Sequence, residues 1–188
     1  MRLLDEILEY NQQFVEEKRY EEYTTTKFPN KRLVILTCMD TRLLELLPKA
    51  MNVSNGDVKL IKNAGALVTH PFGSIMRSLL VAVYQLQADE VLVIGHYDCG
   101  MSGMKADVVI ESMKERGITQ ETLDMLNYSG INVSEWMHGF DNVSDSVKHS
   151  VNMIKKHPLL PKGVPVHGLV IDPETGRLDA VENGYEGI

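Results

Sequence analysis

Four strand-length apolar blocks constrain this chain more than any other feature. They are Arg32 to Thr37 (RLVILT), Asp57 to Ile61 (DVKLI), Glu90 to Ile94 (EVLVI) and Val166 to Ile171 (VHGLVI). Blocks of this length, rich in Val, Ile and Leu, fit strands covered by other elements on both faces. The segments between them carry helical spacing. Residues 43–51 read as a short helix. A longer one follows Pro71, with Ile75, Leu79, Ala82, Val83 and Leu86 on one face. Helical patterns fill 101–116 and 120–127, and residues 129–141 read as loop. Asn142 is placed to cap a helix carrying Val143, Val147, Val151 and Ile154, which ends before Pro158. After Val166 to Ile171, the turn DPETG leads to a short edge strand near Arg177 to Val181. Strands alternating with helices predict an α/β fold: one domain with a central, mostly parallel sheet flanked by helices. Residues 30–181 form its core. Residues 1 to about 22 read as an amphipathic helix with Leu4, Ile7, Leu8, Phe14 and Val15 on one stripe, within an N-terminal helical arm over 1–28.

The bulk properties narrow the class. The chain has 188 residues, a length suited to one core and undivided by any Pro/Gly/Ser-rich linker. Its net charge is −7 and no Lys/Arg run exceeds two residues, so a phosphate-binding surface for nucleic acid is not expected. Two acids fall within the first six residues, where a secretory signal needs a basic start and an apolar stretch. No segment approaches the roughly 18 consecutive apolar residues of a membrane span. The expected compartment is the cytoplasm, without membrane association.

Two cysteines remain to be placed, Cys38 and Cys99. In a reducing compartment they are buried thiols, a redox pair or metal ligands rather than a disulfide. Both lie just beyond predicted strands, where ligands gather in α/β sheets. Around them stand Cys38-Met39-Asp40-Thr41-Arg42 and His96-Tyr97-Asp98-Cys99-Gly100. Two thiolates and one imidazole suit zinc. His96-x-x-Cys99 lets one turn give two ligands, and strand alignment brings Cys38 to them. Three ligands leave a coordination corner for water or substrate, which is the arrangement of a catalytic site. Two thiolates offset the metal charge, so the bound solvent needs help to ionise. Asp40 can accept a hydrogen bond from it. Arg42 can grip Asp40 bidentately, keeping the carboxylate charged, aimed and off the metal. Gly95, Gly100 and Gly103 do not form a dinucleotide fingerprint. His70, His138, His149, His157 and His167 are read as structural or solvated.

These paired segments resemble the β-carbonic anhydrases, whose signature is Cys-x-Asp-x-Arg followed by His-x-x-Cys. Lys62-Asn63-Ala64-Gly65, Arg77-Ser78-Leu79, Val93 to His96, and His157-Pro158 through Thr175-Gly176 are similar to further family segments. The resemblance covers most of residues 30–181 and is closest to the shorter prokaryotic-type branch. It implies one Zn(2+) per subunit on Cys38, His96 and Cys99, with Asp40 and Arg42 catalytic. It implies reversible hydration of carbon dioxide to bicarbonate and a proton, by hydroxide generated at the metal. Asn63 and Gly65 are candidates for orienting substrate or product through backbone N–H groups. The resemblance also implies a homodimer or higher homo-oligomer in which the N-terminal helix packs on the partner subunit. Two alternatives keep the same residues: hydrolysis of carbonyl sulfide or carbon disulfide, and a non-catalytic zinc or redox-sensing protein.

Overall fold

Five strands form one sheet in the order β2-β1-β3-β4-β5: β1 (Leu33–Cys38), β2 (Val58–Asn63), β3 (Glu90–His96), β4 (Val166–Ile171) and β5 (Leu178–Glu182). The first four run parallel, and β5 closes the edge antiparallel to β4. The computed structural model describes residues 2–186. The helices are α1 (Leu3–Glu16), α2 (Leu43–Ala50), α3 (Ser74–Gln85), α4 (Ala106–Glu115), α5 (Gln120–Tyr128), α6 (Val133–Trp136) and α7 (Val143–Lys155). The expected single-domain α/β architecture is therefore what the chain adopts.

The alternation of side chains along each strand divides the core in two. One face carries Val34 and Leu36 of β1, Val91 and Val93 of β3, and Val166 and Val170 of β4. These pack with Met76, Leu79 and Ala82 of α3 and Val147, Val151 and Ile154 of α7. The other face carries Ile35, Ile94 and Ile171, covered by Leu43 and Leu47 of α2. Burial on both faces explains why the blocks read as nearly continuous apolar runs. On the first face two glycines set how closely α7 approaches. A Cβ on Gly95 would stand 2.7 Å from Val143 Cγ2 and 2.8 Å from Val147 Cγ2, and one on Gly168 2.8 Å from Val147 Cγ1.

Several boundaries differ from expectation for identifiable reasons. The first helix stops at Glu16, because Lys18 turns left-handed (φ 54°) and the chain continues as a 3-10 turn over Arg19–Tyr23. Pro71 lies outside α3, which starts at Ser74 after Gly73. Residues 101–105 are turn rather than helix: Gly103 has φ 67°, and Met101 and Met104 carbonyls accept the N–H groups of Phe140 and Gly139. The loop predicted over 129–141 contains the short helix α6, capped by Asn132 Oδ1 accepting from Glu135 N–H. Asn142 caps α7 as its sequence suggested, accepting from Asp145 N–H at 3.1 Å.

The topology decides where a site can form. From β1 the chain moves to one side for β2 and to the other for β3. That reversal opens a crevice beyond the carboxyl ends of β1 and β3. Cys38 is the last residue of β1 and His96 the last of β3. Both strands run further than their apolar cores, because the ladder continues through Cys38↔Asn63 and His96↔Ile171.

Candidate metal centre

Three side chains meet at the crevice. Cys38 Sγ and Cys99 Sγ are 3.9 Å apart, and these sulfurs and the His96 ring all fall within 4.8 Å of one another. Tetrahedral ligands at about 2.3 Å from a zinc ion stand roughly 3.8 Å apart, so the sulfur spacing fits one shared ion. The cysteines are free and buried, and His96 is 1% exposed.

His96 is placed to act as a ligand. Its Nδ1 lies 2.8 Å from the Tyr97 carbonyl, which can only accept, so Nδ1 carries the proton. In the neutral ring Nε2 then presents a lone pair. It is shielded from solvent and has no hydrogen-bond partner among the described residues. A buried unsatisfied nitrogen costs stability unless a ligand completes it. A backbone acceptor fixing the tautomer is also how metal-bound imidazoles are held.

The two thiols form a coupled pair. The hydrogen bond from Cys99 holds Cys38 well below the usual thiol range, aided by Gly65 N–H at 3.4 Å. The same bond, together with burial, pushes Cys99 up, so the metal-free pair shares one proton. A cation that displaces it releases the second thiolate. His96 is pulled down by burial, but the adjoining Cys38 thiolate and the Tyr97 carbonyl outweigh this and raise it.

Asp40 faces the same point, with Oδ2 3.7 Å from His96 Nε2. Arg42 holds it by both oxygens: Nε donates to Oδ1 at 3.0 Å, Nη2 to Oδ2 at 2.9 Å, and the Arg42 backbone N–H to Oδ1 at 2.9 Å. This grip lowers the carboxyl to about 2, with the guanidinium as the main cause. The turn from β1 into α2 makes it possible, because Arg42 sits at the helix start, two residues from Asp40.

The expected residues Cys38, Asp40, Arg42, His96 and Cys99 thus converge. Asn63 and Gly65 adjoin them. Asn63 closes the following turn, its amide donating to Leu67 O and accepting from Leu67 N–H. Gly65 has φ 78°, a conformation glycine adopts freely, and directs its N–H at Cys38 Sγ. Asp98, within the second segment, accepts from Arg42 Nη1 at 2.9 Å on Oδ2.

Comparison with known proteins agrees with this geometry. The sequence profile of the family described as "Carbonic anhydrase" matches residues 33–178. The chain belongs to the β-carbonic anhydrase family. All five converging residues of this β-carbonic anhydrase lie inside the matched span. It is 63% identical over 183 residues to "Putative carbonic anhydrase YvdA" of Bacillus subtilis (strain 168), covering 97% of this chain and 93% of that one. Among solved structures, β-carbonic anhydrase isoform I of Trichomonas vaginalis superposes with a TM-score of 0.87 at 34% identity, covering 98% of this chain and 100% of that one. A carbon disulfide hydrolase of Acidithiobacillus thiooxidans is 28% identical over 155 residues, covering 79% of this chain and 76% of that one. The family's enzymes therefore include one named for a different substrate.

Proposed function

We propose that this enzyme binds one Zn(2+) per subunit through Cys38, His96 and Cys99 and reversibly hydrates carbon dioxide to bicarbonate and a proton. The carrying observation is the buried, unpartnered Nε2 of His96 facing two thiols 3.9 Å apart. Zinc in such a site lowers the pKa of a water and makes it a nucleophile near neutral pH. The protein's own groups do the rest. Asp40, kept ionised by Arg42, accepts a hydrogen bond from the attacking water and orients its lone pair. Held on both oxygens, Asp40 is also restrained from taking the fourth coordination corner. Met101 and Phe140 pack against the cluster that holds Cys38 and Cys99, so the surroundings of the centre are largely apolar, as suits apolar carbon dioxide.

The same reading includes a homodimer or higher homo-oligomer. Helix α1 buries none of its residues within the chain, and Leu3, Leu4, Ile7 and Leu8 are exposed. An exposed apolar stripe of this kind is an association surface. A cytoplasmic location suits two thiols that must stay reduced. Among the described residues no helix is long and apolar enough to cross a membrane.

Zinc content of the purified protein and stopped-flow carbon dioxide hydration test the proposal together. Asp40→Ala should retain zinc and lose turnover about a hundredfold or more. A metal-free protein, or an active Asp40→Ala, would refute the assignment. The carbon disulfide hydrolase relative motivates a second reading, hydrolysis of carbon disulfide or carbonyl sulfide. Sulfide release exceeding carbon dioxide hydration in parallel assays would favour it.

A further inference from the structure

Arg42 makes more bonds than a grip on Asp40 requires. Besides its two side-chain bonds to Asp40, Nη1 donates to Asp98 Oδ2 at 2.9 Å and Nη2 donates to Asp98 O at 3.0 Å. The guanidinium fork is thus shared between two carboxylates 58 positions apart in the chain. Asp40 follows the ligand Cys38 by two residues, and Asp98 lies between the ligands His96 and Cys99. Arg42 therefore ties the loop after β1 to the loop after β3.

The backbone of Asp98 is shaped for this contact. It has φ 52°, in the left-handed region that non-glycine residues seldom occupy. Such conformations persist where surrounding contacts hold them, and they concentrate at functional sites. Here the turn brings the Asp98 carbonyl and carboxylate to bear on one guanidinium. Stability does not explain the pair. Asp98 is 84% exposed at its side chain, and ion pairs so open to water contribute little to folding. Orientation does explain it. A guanidinium anchored at one end only can swing about its stem, and Asp40 would swing with it. A second anchor on Nη1 fixes the plane of the fork, hence the plane of the Asp40 carboxylate.

We propose that Asp98 is a positioning residue: anchoring Arg42 from the opposite loop, it sets the orientation in which Asp40 receives the attacking water. This rests on the functional reading above and adds a residue to it.

The test uses the full-length, zinc-loaded enzyme with Asp98→Ala, Asp98→Gly and Asp98→Asn. Glycine adopts the left-handed turn without strain, so it separates the carboxylate from the backbone shape. Asparagine tolerates that turn and keeps an oxygen able to accept from Nη1. Two readouts are taken: kcat with KM and zinc content, and hydrogen exchange of the Arg42 Nε–H by NMR, which reports the bond to Asp40 directly. Asp98→Ala and Asp98→Gly should lower kcat about tenfold at unchanged KM and zinc content, with faster Nε–H exchange. Asp98→Asn should restore both to within about threefold. A glycine variant matching wild type would overturn the proposal, since only backbone shape would then matter. So would a fall in kcat without faster exchange, faster exchange without a fall in kcat, or zinc loss in all three variants. If the wild type itself hydrates no carbon dioxide, the functional reading fails, while the exchange readout still decides whether Asp98 holds the Arg42–Asp40 pair.

Discussion

At the residue scale, charge at this site is arranged by geometry more than by burial. Asp40 is drawn down to about 2 chiefly by Arg42, which supplies two side-chain bonds and a backbone N–H. A carboxyl whose folded pKa is depressed contributes stability above its unfolded value, near 4. That contribution fades as pH falls from there through about 2. Removing the guanidinium raises the folded pKa toward the unfolded one and removes the contribution across the whole range. Arg42→Ala should therefore be less stable than wild type at neutral pH, and its stability should fall less steeply between about pH 4 and 2. Urea unfolding at a series of pH values, followed by circular dichroism, measures this. Parallel curves for the two proteins would show that Arg42 does not perturb Asp40. The residues that converge here were legible because a metal-ligand pattern needs few residue types at short spacing. Cys38, Asp40, Arg42, His96 and Cys99 stand in two such clusters. Asp98 was not legible in the same way. Its partner Arg42 is 56 residues distant, and nothing about an Asp inside His-x-x-Cys says which way its backbone turns. Asn63 shows the opposite limit: its place in a recognisable turn was evident, but its bonds to Leu67 appear only once the chain is folded.

Among elements, the decisive contact is α7 on β3 and β4, because it sits directly behind the strand that delivers His96. Gly95 immediately precedes His96. The Cβ of any other residue there would come 2.7 Å from Val143 and 2.8 Å from Val147, too close without displacing the helix. Overpacking of this kind costs about 1–3 kcal/mol. Gly95→Ala should lose stability of that order and weaken zinc retention as β3 shifts. Val147→Ala removes one of the two obstructing methyls. The double variant should be less destabilised than the sum of its single changes. Denaturant melts and zinc titration check both, and strict additivity would count against a direct clash. The buried strands and α7 were readable because their patterns repeat over several residues, with a cap at Asn142. The short helix α6 was not, since four residues carry too little periodicity against a background of turn formers. The end of α1 was hidden for a related reason. The apolar spacing runs past Glu16, whereas the stop comes from one left-handed residue, Lys18, which has no sequence signature.

For the whole molecule, α1 is the element the chain's own core does not account for. A helix of 14 residues is marginal alone in water and normally owes its stability to a packed apolar face. Here that face, Leu3, Leu4, Ile7 and Leu8, is open to solvent, and within the chain the helix is tethered by contacts such as Phe14 against Tyr23, with ring centroids 6.3 Å apart. The two cores on either side of the sheet include no residue of α1. These facts separate folding from assembly. Charging the stripe should disrupt association while leaving the sheet and the metal site intact. The variant carrying Leu4→Glu and Leu8→Glu should move from dimer or larger species to monomer in light scattering coupled to size exclusion. Its near-ultraviolet circular dichroism should persist, and its zinc content should remain close to wild type. Retention of the wild-type mass would mean that the subunits meet elsewhere and that α1 is covered by something other than a second copy. Loss of the fold together with the dimer would mean that α1 contributes to a core that neither buried cluster reveals. Only monomerisation with the centre intact agrees with a chain whose α/β core builds the metal site by itself and whose N-terminal helix serves to join copies.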